Sequence, residues 1–563
     1  MRKDFLLNSP FLPAGIYKLL FVLLAIACIP GLFVPLLDND SAHHASIALR
    51  MHLTGDYVSL IDQSGDYLDK PHLLFWLCAA SYKIFGVTSF AYKFPTLLFT
   101  ILGTYSTYRL GQSLYNKEVG KLAALVIASA FAYLLANNDV RMDGILGAAI
   151  ALSCWQLVEF IQHKKLLNVV GAALGLAIGF STKGHIAVFV PAIAAFFYIL
   201  YRKEWSLFLN WKWLVLLVLF GLFIAPVVYS YYLQYNLHPE KVVRGKDHIN
   251  GVTFILFNQS VERFSGGMGG DAKNDYLFFL HSFLWAFAPW SILTYIAMVG
   301  RIKDFLQRKQ EWASTGAFIV VALVVSLSGF KLPHYINIIF PLAAVIASVF
   351  ILAQTTHPRW VKIIFTIQLI VAILLLLLSA VINIWAFPLK SWWIAVVLIL
   401  LLAAVFYCIK TTTLTRLQKA VSLSVATMAL VFFLLNSNFY PQLLKYQAGE
   451  SLATITKGKV DPADVYVLPN SYSASYVFYS SSRFQRFNDS LLQTGKKVWL
   501  LTEPGPLEKL KEEGYQTGQT YSATHFRVTK LSLKFVNPAT RDKECSSMMI
   551  VEITGKKNKA AAE

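Results

Sequence analysis

Long apolar runs separated by short polar stretches set the pattern of this chain. The first, Tyr17–Leu37, leads into LDNDSAHHASIALRM, so two carboxylates and two histidines fall within residues 38–44, just where the run ends. Apolar runs of about 17–25 residues are long enough to cross a bilayer. Comparable runs recur near 94–114, 121–137, 144–161, 167–182, 185–200, 212–232, 276–299, 314–330, 335–354, 361–385, 391–409 and 419–436, which with the first predict thirteen transmembrane helices. The first run exceeds the roughly 7–15 residues of a signal-peptide core and has no small-x-small cleavage site after it, so it reads as a retained helix.

From about Asn438 the pattern changes. ADVYVLPN, KKVWLLTE and SMMIVEI read as strands and PLEKLKEEGY as an amphipathic helix. The expected architecture is an all-α polytopic membrane domain over 1–437 and a small α/β domain outside the membrane over 438–563. No internal repeat is visible across the spans, which weighs against an inverted-repeat transporter.

Composition agrees with this picture. Of 563 residues, 56% are hydrophobic and 14% charged, against about 25% charged in soluble domains. Cys28, Cys78, Cys154 and Cys408 lie in apolar segments and Cys545 stands apart, so neither a disulfide framework nor a cysteine metal site is implied. The net charge of +19 sits mostly in short connections between apolar runs. That is the distribution of cytoplasmic loops beside anionic lipid, not of a nucleic-acid surface.

Charge also fixes the expected topology. Lys117–Lys121, His163–Lys165, Arg202–Lys203, Arg301–Lys309, Arg359–Lys362 and Lys410–Lys419 are basic connections expected in the cytoplasm, with the N-terminal Arg2, Lys3 and Lys18. If Tyr17–Leu37 leads out, Phe94–Leu114 must return to deliver Lys117 inside. The segment His72–Phe85 then cannot cross and is expected to lie at the outer interface. The N-terminus is expected in the cytoplasm and the C-terminus outside, with outer juxtamembrane helices about 38–88 and a long outer loop about 233–275.

This topology gathers the polar exceptions on one side: Asp38, Asp40, His43, His44, Asp69, Lys70, Asp139, Arg141, Asp143, Lys183, Lys331 and His334. Ionisable groups at the membrane surface in very short loops mark function by default. Carboxylates beside several cations suit a substrate with a phosphate head and a lipid tail, since Lys and Arg neutralise phosphate and a carboxylate orients or deprotonates a hydroxyl. No Gly-rich phosphate loop follows a strand. Each piece also has a simpler reading: Asp40 or Ser41 caps the next helix, the histidines hydrogen-bond at the interface, Asp139, Arg141 and Asp143 close a turn, and Lys183 or Lys331 snorkels. Independent snorkelling does not explain acids and bases collecting on one face.

The order of Asp40 after the first span, DKPHLLFW, VRMDG, STKG and GFKLPHY resembles the membrane-embedded GT-C glycosyltransferases over roughly residues 15–350. The branch it resembles contains the lipid A aminoarabinose transferases and protein O-mannosyltransferases, and VERFSGG followed by FLWAFAPWS resembles that branch's long outer loop and next helix. The resemblance implies an inverting transfer of a sugar, aminoarabinose-like or hexose, from a polyprenyl-phosphate carrier such as undecaprenyl phosphate. The acceptor would be lipid A, a glycolipid or a protein at the outer face of a bacterial inner membrane. It implies Asp40 as the catalytic carboxylate, in a motif usually Asp-Glu but here continued by Ser41. Lys70, Arg141, Lys183, Arg263 and Lys331 match donor-phosphate positions, and Asp69, Asp143, His43, His44, His334 and Tyr335 are the supporting or acceptor-facing candidates. Relatives carry His-rich positions where this chain has Asn258, Gln259 and Ser260, so the resemblance by itself assigns no cofactor and leaves a divalent metal open, with Asp69 as its candidate ligand. The rival class is a polytopic lipid or polysaccharide transporter, which calls for polar residues at midplane depth and internal symmetry.

Overall fold

The computed structural model describes residues 10–556 except 260, 263–274, 306, 411–412, 469–470, 472, 484 and 494–496. Each apolar run is helical along most of its length. Among the described residues seven segments are long and apolar enough to cross a membrane: Ala14–Phe33, Asp143–His163, Leu166–Lys183, Lys212–Asn236, Pro333–Ala353, Pro358–Ala386 and Arg416–Tyr446. The chain is a multi-pass membrane protein. Of the other expected spans, Trp392–Lys410 is an uninterrupted apolar helix of 19 residues, and the remaining five are shorter, interrupted or less apolar. Lys117–Ala128 and Phe131–Leu135 divide one run, and Phe278–Ala286 and Ser291–Phe305 divide another around Pro289.

Small residues let several of these helices approach closely, as is common where lipid leaves no hydrophobic drive between them. A Cβ on Gly111 would lie 3.0 Å from the Gly120 Cα, so Ser89–Leu114 and Lys117–Ala128 meet almost backbone to backbone. Ser89–Leu114 also packs on Asp143–His163, which in turn packs on Leu166–Lys183. Arg416–Leu434 lies at the centre of another group, against Ala14–Cys28, Pro358–Ala380 and Trp392–Lys410.

The first helix stops sooner than hydropathy suggests. Ala14–Cys28 passes into a 3₁₀ turn, Ile29–Phe33, with Pro30 supplying no amide proton there. The buried Lys93 ammonium donates to the Gly31 carbonyl at 2.8 Å and to that of Val34 at 2.7 Å, holding the turn against Ser89–Leu114. Residues 34–37 are therefore not helical, although they are apolar. Leu73–Phe85 has 13 residues, about 20 Å of helix against a hydrocarbon core of about 30 Å. It packs on Asp40–Thr54 and on Ser89–Leu114.

Near the C-terminus four strands form one sheet in the order Val465–Val467, Val498–Thr502, Ser546–Lys556, Tyr515–His525. The first pair is parallel and the others antiparallel, with Leu500 opposite Tyr466 on one side and Val551 on the other. Pro504–Glu512 is the amphipathic helix and buries Leu507 and Leu510. Tyr515–His525, sequence YQTGQTYSATH, is a half-exposed edge strand with little apolar alternation, so hydropathy does not reveal it. A short helix, Ala474–Ser480, carries this region back onto Asp40–Thr54, and its Phe478 meets Tyr82 of Leu73–Phe85.

Candidate functional site

Asp40 is the first residue of the Asp40–Thr54 helix, and the cap is Asn39, whose side chain accepts the Ser41 amide proton at 2.8 Å. The capping role considered for Asp40 or Ser41 thus belongs to their neighbour. The Asp40 carboxylate is left 54% exposed and borders a cavity of about 210 Å³. Lys70, Arg141, Asp143, Lys183 and His334, from four other chain segments, line the same cavity, together with His44, Asp69 and Tyr335.

The charges are cross-linked. Arg141 places Nε 3.0 Å from Asp139 Oδ2 and Nη1 3.5 Å from Asp40 Oδ2. Asn39 donates its amide proton to the other Asp139 oxygen at 3.2 Å, so the cap and the second loop are tied together. Lys183 sits 2.8 Å from Asp143 and 4.7 Å from the centre of the Tyr335 ring, while His334 Nε2 is 3.9 Å from Asp143. Lys70 Nζ pairs with Asp69 at 3.0 Å. The backbone of this Asp-Lys dipeptide is braced by Tyr231, which donates to the Lys70 carbonyl at 3.2 Å, and by Gln259, which donates to that of Asp69.

Burial would raise the Asp40 carboxyl, but the surrounding positive charge holds it below the ordinary carboxylate value. Burial also pushes His44 down to about 3, so this histidine is neutral near pH 7. As Asp40 itself titrates, the charge forming on His44 lowers it most, followed by Arg141 and Lys70. At Asp139 burial wins over Arg141 and Asn39, and its carboxyl is raised. Burial opposes the Arg141 charge, yet Asp139, Asp40 and Asp143 keep the guanidinium protonated above its usual value. The site therefore holds an ionised, partly open carboxylate beside fixed cations.

Two sequence candidates point elsewhere. His43 places Nε2 3.2 Å from Asp62 and packs edge-on to Tyr67. Lys331 is buried with its ammonium 5.3 Å from the Tyr276 ring centre, while its neighbours Phe330 and Leu332 line the cavity. Arg263 lies outside the described residues. Arg244, not singled out from sequence, stands 4.0 Å from Asp69 and donates to the Leu68 carbonyl at 2.9 Å. In KVVRGKD nothing distinguishes it from neighbouring basic residues of the long loop.

Asp69 faces the cations Lys70 and Arg244, a poor setting for a metal ligand. Among the described residues no group of three or more His, Cys, Asp or Glu side chains is arranged to hold an ion. A second cavity, of about 270 Å³, adjoins the first through Lys183 and Tyr335. Its remaining wall is mostly apolar, with Leu146, Ile186, Phe189, Val324 and Ile338.

The family model described as dolichyl-phosphate-mannose-protein mannosyltransferase matches residues 69–229. Undecaprenyl phosphate-α-4-amino-4-deoxy-L-arabinose arabinosyl transferase 2 of Pseudomonas fluorescens is 24% identical over 316 residues, 54% of this chain and 53% of that protein. The corresponding transferase of Pseudomonas aeruginosa is 25% identical over 313 residues, again 54% and 53%. The matched region spans about half the length of these curated relatives. The crystal structure of ArnT from Cupriavidus metallidurans bound to undecaprenyl phosphate superposes with a TM-score of 0.73 at 17% identity, covering 96% of this chain and 98% of that one. Its apo form gives 0.72 at 16% identity, covering 95% and 98%. The chain has the ArnT-like GT-C fold, and in sequence it resembles the lipid A aminoarabinose transferases and the protein O-mannosyltransferases.

Proposed function

We propose that the chain transfers a sugar from a polyprenyl-phosphate carrier to a lipid A, glycolipid or protein acceptor at the outer face of a bacterial inner membrane. The observation that carries this reading is the shared cavity of Asp40, Lys70, Arg141, Asp143, Lys183 and His334, joined through Lys183 and Tyr335 to an apolar cavity. A phosphate head and a polyprenyl tail need that pairing of cationic and apolar walls. The named relatives act on an undecaprenyl-phosphate sugar, which supports the same donor class here.

The reaction is a substitution at the anomeric carbon with inversion. The acceptor oxygen forms the new bond to C1 as the bond from C1 to the phosphate oxygen breaks. The electron pair leaves with polyprenyl phosphate. Asp40 takes the proton of a hydroxyl acceptor, and where the acceptor is an ionised phosphate it aligns the nucleophile instead. Lys70, Arg141 and Lys183 meet the charge that grows on the leaving phosphate, in a cavity where fixed cations act more strongly than in water. Arg263 is assigned to the same phosphate by resemblance; Lys331 matches such a position by resemblance, although its ammonium lies against Tyr276; and Asp69, Asp143, His44, His334 and Tyr335 are assigned to support of these groups. In this reading residues 1–437 form the catalytic membrane domain, with the N-terminus cytoplasmic, and 438–563 a periplasmic α/β domain.

The test is a direct one. Purified protein is given a panel of undecaprenyl-phosphate sugars with lipid A or envelope glycolipid, and products are read by mass spectrometry. Carrier release with a new glycosylated acceptor is expected. Movement of intact lipid across vesicles without carrier cleavage would instead favour the transporter reading.

A further inference from the structure

Two residues before Asp40, the chain is gripped by a region more than 400 positions away in sequence. Gln447 donates to the Leu36 carbonyl at 2.8 Å and accepts the Asp38 amide proton at 2.6 Å, replacing both partners a neighbouring strand would give. Tyr479 accepts the Leu36 amide proton at 2.8 Å and shares a hydrogen bond of the same length with Ser89. The Asp38 carboxylate takes the Ser475 amide proton at 3.1 Å, the Ser475 hydroxyl at 2.9 Å and the Ser473 hydroxyl. Gln447, Ser473 and Ser475 are buried, so water does not compete for these bonds. Gly449 is part of the arrangement, because a Cβ there would run into both serine hydroxyls.

Asp40 itself is weakly tethered: Arg141 approaches its carboxylate at 3.5 Å, and its side chain is more than half exposed. Its place is set by the backbone around it. That backbone runs from the gripped Asp38 through Asn39, which caps the helix and binds Asp139, the partner of Arg141. We infer that the C-terminal region acts as a positioning latch: Gln447, Ser473, Ser475 and Tyr479 hold residues 36–38 so that Asp40 faces the cavity at a fixed place. They are positioning residues, since none lines the cavity. The inference rests on the proposed role of Asp40 and adds a task for the C-terminal region.

The test uses full-length protein in detergent or nanodiscs and compares Gln447→Ala, Gln447→Glu, Ser473→Ala with Ser475→Ala, and Gly449→Ala. Gln447→Glu keeps an acceptor for Asp38 but loses the donor to Leu36 and buries a negative charge, so it is the harshest of the set; Tyr479→Phe, which removes only the hydroxyl that accepts from Leu36, is the gentlest variant if the others fold poorly. Two readouts are taken: hydrogen exchange of the 36–42 amides, and kcat and KM for the carrier-linked sugar. A misplacement of about 1 Å costs as much as a hundredfold in rate. The expected result is faster exchange confined to 36–42, kcat lowered at least tenfold and carrier KM within twofold, since Lys70, Arg141 and Lys183 are untouched. Asp40→Asn is the control, with activity lost and exchange unchanged. Faster exchange with kcat within twofold overturns the positioning role, as does a rise in KM alone. Unchanged exchange overturns the latch itself. A wild type that transfers no sugar from the panel sinks the proposed function and with it the positioning of a catalytic carboxylate, while the exchange result separately decides whether the latch exists.

Discussion

Two clusters of buried charge in this molecule use the same residue types in opposite ways. In one, Arg301 is enclosed by Glu311 at 3.1 Å, Ser314 at 3.0 Å, Thr315 at 2.8 Å and the Tyr115 hydroxyl at 2.7 Å, and both charged side chains are under 5% exposed. In the other, Arg141 is 24% exposed, reaches Asp40 only at 3.5 Å, and shares a cavity wall with Lys70, Asp143 and Lys183. The first cluster is closed, with the guanidinium's donors spent on protein. The second is built from pairs that border open space, leaving charge free to act on something that enters. Burial and ion pairing alone therefore do not identify a functional site, whereas an ion pair beside a cavity does point to one.

Breaking the closed cluster should give the largest effect, and on stability. Arg301→Met leaves Glu311 buried without its partner, a loss of about 3–5 kcal/mol. Unfolding in detergent should show it, with near-normal turnover per folded molecule. Normal stability with abolished turnover would erase the distinction between the clusters.

At the open cluster the largest effect falls on chemistry. Asn39 supplies the helix cap, so Asp40→Asn removes a charge without touching the cap. Sugar transfer should drop at least about a hundredfold, the lower end for loss of a general base, at an unchanged melting temperature. A folded Asp40→Asn protein working within a few-fold of wild type would take Asp40 out of the mechanism.

Lys70→Met sharpens the comparison because Asp69 keeps Arg244 nearby and is not left alone. One charge-assisted contact is worth roughly 1.5–3 kcal/mol. Donor affinity or rate should fall about ten- to a hundredfold, measured at subsaturating carrier, with little change in stability. Equal losses of stability here and at Arg301 would mean that Lys70 is structural.

The smallest effect is on pH. Asp40 is held below the ordinary carboxylate value, so it stays ionised as pH falls from 7 to 5, and loss of activity through its protonation begins only at lower pH. Removing Arg141 withdraws part of that pull, so Arg141→Met should move the acid limb of the kcat profile upward. A downward shift, or none, would mean that Arg141 does not set the charge on Asp40.

Much of the membrane part was legible in sequence, because long apolar runs demand helices wherever a backbone must satisfy its own hydrogen bonds in lipid. Boundaries were less legible. Leu36 and Leu37 are as apolar as the helix before them, yet the chain turns at Ile29–Phe33, where the Lys93 ammonium holds the carbonyls. Tyr515–His525 left no periodic signal, being an edge strand whose pairing with Ser546–Lys556 supplies what its side chains do not.

Sequence by itself determined the membrane class and the roster of Asp40, Lys70, Arg141, Asp143, Lys183 and His334, since charges in apolar surroundings are conspicuous wherever they occur. Which of those charges share a cavity was decided only by tertiary structure. Lys331 turns toward Tyr276 and His43 toward Asp62, although neither differs in kind from the residues that line the cavity. Tertiary structure also decided that Asn39 caps the helix and that Gln447, Ser473 and Ser475 grip Asp38. The reason is physical: hydropathy is a property of a segment, while a hydrogen bond between residues 38 and 475 depends on how every helix between them packs.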